Sequence, residues 1–210
     1  MSETSSKKRK LSLPLVLAGG VSSLVLALGM SPTFSAFTAS ITNSLNTANA
    51  GTLIMSETGN GKTCLSTDGP GNSVALNTAS CATINKYGGL SSMKPGDSIT
   101  ITTTIVIANT GTVDAGTFGL TPATCVSTGG GTGAGDLCKQ LKVTMTQDGT
   151  AVFSNVAPKD LVATGFTTVK AGKNTSIDIT VSFPSTGSNV TDNTFQGTQA
   201  SQPLTWTFQS

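Results

Sequence analysis

The chain has 210 residues and no histidine. That removes the commonest general base and the commonest catalytic metal ligand. A Ser-His-Asp triad cannot be built, nor can a zinc helix of the HExxH type. Arginine occurs once, as Arg9, and Glu57 is the one glutamate beyond residue 35. A glycosidase needs two facing carboxylates. Here they would have to come from Asp68, Asp97, Asp114, Asp136, Asp148, Asp160, Asp178 and Asp192, which are scattered among turn residues. Turn chemistry explains such aspartates more simply. No DxDxDG calcium pattern occurs. Aromatics are scarce as well. A carbohydrate platform would lean on Tyr87 and Trp206, the only Tyr and Trp, and Trp206 sits in an alternating stretch that suits a core. Composition therefore argues against an enzyme and suggests no cofactor or metal.

The amino end is rich where the rest is poor. Lys7, Lys8, Arg9 and Lys10 form a cationic cluster, and Leu11–Met30 follows as 20 residues without charge. A basic start, an apolar middle and small residues afterwards describe a secretory signal peptide. A permanent membrane anchor is the rival, since about 20 apolar residues span a bilayer. Pro14, Gly19 and Gly20 weaken the run as a stable helix. A cut between Ser35 and Ala36 puts the small residues Thr33 and Ser35 at the −3 and −1 positions. A cut after Ala36 puts Phe34 at −3, which suits a peptidase less. Residues 36–210 carry eight Lys against nine Asp and Glu, so the net charge falls to −1 from +2 for the whole chain. The basicity belongs to the signal. No footprint for nucleic acid remains, and the membrane is expected only through the uncleaved signal.

What the remainder does contain is Thr, Ser, Gly and Val, a composition that predicts an all-β domain. Its length suits one domain with a stable core. Cys64, Cys81, Cys125 and Cys138 all lie in this part. Four cysteines allow three pairings. Sequential pairing, Cys64 with Cys81 and Cys125 with Cys138, closes two short loops, each worth about 3 kcal/mol in the chain-entropy account. A metal site is the rival, but the spacing lacks CxxC pairs.

The alternation of apolar and polar residues gives the strands. NAGTLIM (Asn49–Met55) reads as a short strand, and Ser56–Gly89 as loop. Lys94-Pro95-Gly96-Asp97 is a turn. Ile99, Ile101, Thr103, Ile105 and Ile107 share one face of the strongest strand, with Thr100, Thr102, Thr104 and Val106 on the other. Val113–Leu120 reads as a weaker strand. Cys125–Cys138 encloses a Gly-rich stretch without the Gly-Lys-Ser/Thr ending of a phosphate loop, so a crosslinked surface loop is expected. Leu141, Val143 and Met145 alternate up to an Asp148-Gly149 hairpin turn into Ala151–Phe153. Pro158–Phe166 has room for one helical turn. Ile177–Phe183 and Leu204–Phe208 alternate again. Strands at this spacing predict a β-sandwich.

Several stretches together resemble the TasA/camelysin family of exported bacterial fibre proteins. They are SAF at Ser35–Phe37, AGTLIM at Ala50–Met55, MKPGDSITITTTIVIANTGTVDAG at Met93–Gly116, and NTFQGTQASQPLTWTFQS at Asn193–Ser210. The order carries the likeness: an aromatic just after the cut, a GTL strand, a KPGD turn before a long strand ending in N-x-G, and a late Q-G turn before an aromatic strand. The chain departs from the family's best-known members in its two cysteine pairs, its Gly-rich loops and its shorter middle. The resemblance implies a jelly-roll-like β-sandwich at 50–210 and a signal at 1–35 cut by a SipW-type peptidase. It implies self-assembly into a head-to-tail extracellular fibre of the biofilm matrix or cell surface, with an accessory or anchoring protein as a further partner. Residues 36–49 would be the donor strand that completes a neighbour's sheet, with Phe37 as first anchor. Phe37, Ile41 and Leu45 are four apart, so one face of a strand would carry all three; a short helix in the unassembled monomer also groups them. Camelysin has been described as a metalloprotease, an activity for which the absence of histidine leaves no ligand set. A monomeric secreted adhesin or carbohydrate-binding surface protein is the alternative.

Overall fold

The computed structural model describes residues 40–41, 47–89, 92–97 and 101–210. The chain divides into two compact units, Met1–Ala48 and Asn49–Ser210. In the first unit Ser40, Ile41, Thr47 and Ala48 are described, all exposed. The expected signal at 1–35 lies outside the described residues.

The second unit is an all-β, sandwich-like domain with eleven strands among the described residues. They are β1 (Met55–Gly59), β2 (Lys62–Leu65), β3 (Ile101–Asn109), β4 (Thr117–Pro122), β5 (Val126–Gly129), β6 (Lys142–Gln147), β7 (Thr150–Val156), β8 (Thr164–Phe166), β9 (Asn174–Ser182), β10 (Thr198–Ser201) and β11 (Leu204–Gln209). One sheet runs β2-β1-β3-β9-β6-β7. A three-stranded sheet runs β11-β4-β8, and β10 pairs with β5. Every pairing is antiparallel. β4 with β5 and β10 with β11 are successive halves of two long strands. Both break at prolines, Pro122 and Pro203, and the breaks are bridged by the Ala123 N–H donating to the Pro203 carbonyl at 2.9 Å.

The core follows the period-two pattern. Ile105, Ile107, Val143, Met145, Ile177 and Ile179 are fully buried on one sheet, and Phe118 and Leu120 on β4 meet them in the same cluster. Phe118 gathers Phe166, Trp206 and Phe208 at ring-centroid distances of 5.1–5.6 Å, the tilted and edge-on contacts that aromatic quadrupoles favour. Buried Asn109 ends β3. Its side-chain amide donates to the Val113 and Val169 carbonyls and its oxygen accepts the Gly111 N–H, so the N-x-G ending is a folded turn with its polar groups satisfied.

Several expectations need correction. Asn49–Ile54 does not join a strand. Its carbonyls at Thr52 and Ile54 accept N–H groups from Thr110, Thr112 and Val113, which belong to a turn and offer no ladder to extend. Ser56–Gly89 is not all loop, because it opens with the β1–β2 hairpin. Asn60 and Gly61 take φ of 51° and 70° there, as a type I′ turn requires. The strand expected from Val113 begins at Thr117; before that, Ala115 N donates to the Val169 carbonyl and Asp114 accepts from Ala171 N. The Cys125–Cys138 loop contains β5 and ends in the first turn of a short helix α1 (Leu137–Gln140), capped by the Asp136 side chain accepting Cys138 N at 2.9 Å. Beyond the expected helical turn, Pro158–Asp160, the chain adds β8. A second short helix, α2 (Asn189–Asn193), is capped by Ser188.

Candidate functional site

The two faces of the domain are unequal. Six strands form one sheet, while three form the sheet that contains β11. Among the described residues β11 pairs only with β4, and β10 only with β5. Their other edge is therefore a row of backbone N–H and C=O groups without a neighbouring strand, the feature that invites pairing with another chain.

The same stretch, Gln196–Phe208, lines a groove of about 1110 Å³. Residues of both strand faces line it, as expected where a groove meets a strand at its edge. Leu204, Trp206 and Phe208 are only partly buried although all three point toward the core. Facing them are Met55 and Glu57 of β1 and the segment from Asn77 to Tyr87. Glu57, Lys86, Lys94 and Asp192 are the charged residues of the lining, and the two signs balance.

Polar bridges cross this open side. Lys86 Nζ lies 2.7 Å from Glu57 Oε1, with side chains only 13% and 11% exposed. The Trp206 indole N–H donates to the same oxygen at 3.1 Å. The Tyr87 hydroxyl donates to Gln202 Oε1 at 2.5 Å, and Gln202 Nε2 donates onward to the Ala123 and Pro158 carbonyls. Burial raises the Tyr87 hydroxyl well above its ordinary pKa, so it remains a donor across the physiological range. Lys86 and Tyr87 belong to a long segment held to β2 by the Cys64–Cys81 bridge, with Cα atoms 6.4 Å apart. Cys125 and Cys138 form the second pair, at 5.8 Å.

The aspartates hold turns and strand ends. Asp68 accepts Leu65 N, Asp97 accepts Lys94 N, and Asp192 accepts Ser185 and Thr186 hydroxyls and Thr186 N. Among the described residues no group of three or more His, Cys, Asp or Glu could hold a metal. No helix among them is long and apolar enough to cross a membrane; Leu11–Met30 lies outside that set.

Of the expected donor anchors, Ile41 is 99% exposed, and Phe37 and Leu45 lie outside the described residues, as do Ser35 and Ala36. The four cysteines meet in the sequential pairing. Sequence reasoning missed Lys86 and Gln202, and it weighed Glu57 and Tyr87 for other roles without bringing them to Trp206 and Gln202. The signal available was weak: the sole glutamate and the sole tyrosine beyond residue 35, both in a stretch expected to be loop. Comparison with family models and with curated proteins finds no match.

Proposed function

We propose that the protein is a structural subunit of an extracellular fibre, in which residues 36–49 of one copy pair with the β10–β11 edge of the next. The observation that supports this reading is the unequal sandwich: among the described residues a three-stranded sheet ends in an unpaired edge, beside a groove with half-buried aromatics. An added strand would place backbone groups on that edge and alternate side chains in the groove. The donor segment, AFTASITNSLNTAN, carries no charge, and the groove lining has balanced charges.

Magnitudes are consistent with reversible but firm docking. Burying Phe37, Ile41 and Leu45 contributes about 1.5–3 kcal/mol each, and each backbone hydrogen bond about 0.5–1.5 kcal/mol. Association costs about 4–15 kcal/mol. The contact is head-to-tail, so it propagates as an open filament.

On this reading a SipW-type peptidase frees Ala36, and until it does the signal tethers the donor to the membrane. The cysteine pairs suit an oxidising, extracellular location. The jelly-roll topology and the anchoring partner rest on the family resemblance. The adhesin alternative predicts single particles. Size-exclusion chromatography and negative-stain microscopy of the mature form and of a form lacking Ala36–Ala48 test the proposal. Threads from the first and single particles from the second are expected. Equal threads from both would refute it.

A further inference from the structure

We infer that Lys86 and Tyr87, carried on the segment that Cys64–Cys81 ties to β2, are positioning residues that hold the β10–β11 edge ready for an incoming strand. This rests on the reading of that edge as the docking surface.

A strand paired on one side only, with half-buried side chains, has little to keep it straight. Local opening is easiest where apolar contacts are few and backbone groups meet solvent. β10–β11 has a further weakness, since it breaks at Gln202-Pro203. The bridges described above act at two points of this strand. Gln202 sits at the break, and its side chain is held from one side by the Tyr87 hydroxyl at 2.5 Å and from the other by its own bonds to the Ala123 and Pro158 carbonyls. Trp206 sits mid-way along β11 and is held by Glu57, which Lys86 holds in turn at 2.7 Å.

Adjacent residues of one loop thus reach both points. The loop is itself fixed at two places. The Cys64–Cys81 bond ties it to β2, and Asn60 Nδ2 in the β1–β2 turn donates to the Asn85 carbonyl at 3.0 Å. A free strand must be ordered before another can pair with it, and a brace that orders it beforehand removes that cost from docking. Burial raises the Tyr87 pKa, which keeps the hydroxyl protonated for this bond.

The same geometry makes a distinct prediction about rates. The Tyr87 hydroxyl is bonded to Gln202 and not to the docked strand, so losing that bond raises the cost of reaching the paired state and slows association more than it speeds release. An obstructing lid would act in the opposite sense, because its loss would speed association.

Tyr87→Phe in the mature protein is the main test, since it keeps the ring and removes the hydroxyl. Growth from preformed fibre seeds should slow about tenfold, while loss of subunits on dilution should change less than twofold. Amide exchange at Thr205–Thr207 should quicken, and exchange in β9 should not. The paired change Cys64→Ser with Cys81→Ser should act in the same direction. Unchanged growth with unchanged exchange at Thr205–Thr207 would overturn the proposal, and so would faster growth. Amide exchange is read on soluble subunits. If the wild type forms no fibres, the docking reading fails by itself, and the exchange result still decides whether Tyr87 orders the strand.

Discussion

Trp206 donates its indole N–H to Glu57 at 3.1 Å, a bond that joins residues 149 apart in sequence and links the two sheets on the side where the sandwich is open. Lys86 completes the arrangement with an ion pair to the same oxygen. A carboxylate this little exposed is stable only with such partners. Glu57→Ala leaves the largely enclosed Lys86 ammonium without its counter-charge and should cost about 2–4 kcal/mol, somewhat below the figure for a fully buried pair. Trp206→Phe keeps the ion pair and should cost about 1 kcal/mol for its lost hydrogen bond, along with some ring contact. Urea unfolding of the mature protein would measure both, and Glu57→Ala should be the more severe.

On the opposite side of the sandwich, Gln147 joins the sheets. Its side chain donates to the Thr167 carbonyl at 2.9 Å and to Thr175 Oγ1 at 3.0 Å, and accepts Thr167 N at 2.7 Å. Gln147→Met preserves shape and apolar volume but leaves the Thr167 amide and carbonyl without partners. A loss of about 2 kcal/mol is expected, measurable as a fall of about 4–8 °C in Tm for a domain of this size class.

Acid should loosen two turns. The Thr175 hydroxyl and Ser176 N–H hold Asp148 below its ordinary carboxyl pKa of 3.8, and Ser185 and Thr186 do the same for Asp192. A pKa depressed by folding contributes stability that is present above the unfolded value and is lost as pH falls through the folded one. Tm should therefore be level from neutral pH down to about 4 and decline below it. Asp148→Asn should flatten part of that decline. A decline already complete at pH 5 would contradict the assignment.

Reduction of both cysteine pairs should lower stability by about 2–4 kcal/mol per bond. The effect on the groove should be unequal. Cys125→Ser with Cys138→Ser frees a Gly-rich loop beside β5, whereas Cys64→Ser with Cys81→Ser frees the segment that reaches Gln202 and Glu57. Amide exchange resolved by residue would show faster opening of β11 only for the latter.

The long strands were legible because their signal is local. β3 and β9 alternate β-branched residues at period two, and β11 alternates Leu, Trp and Phe with Thr. The Asp148-Gly149 turn has the φ values, 47° and 81°, that its residues announce. The β1–β2 hairpin was hidden because MSETG and KTCL lack a clean alternation. Pairing of Glu57 with Ile107 and of Ser56 with Ala108 places them in the sheet, and that pairing spans about 50 residues of chain. β10, TQAS, is equally polar and is a strand because β5 lies beside it. The groove was not readable for the same reason. Its lining joins residues near 55, 86 and 206, and no spacing in one sequence reports that meeting. That β11 has no second neighbour among the described residues could not be foreseen either, since an edge is defined by what does not pair with it.

The proposed capture of the donor by the edge is testable without waiting for fibres. A synthetic peptide of Ala36–Asn49 added in excess to mature subunits should bind one per subunit, protect the β11 amides from exchange and halt fibre growth, while a scrambled peptide of the same composition does neither. Fibres growing undiminished in saturating peptide, with β11 amides unprotected, would contradict the account.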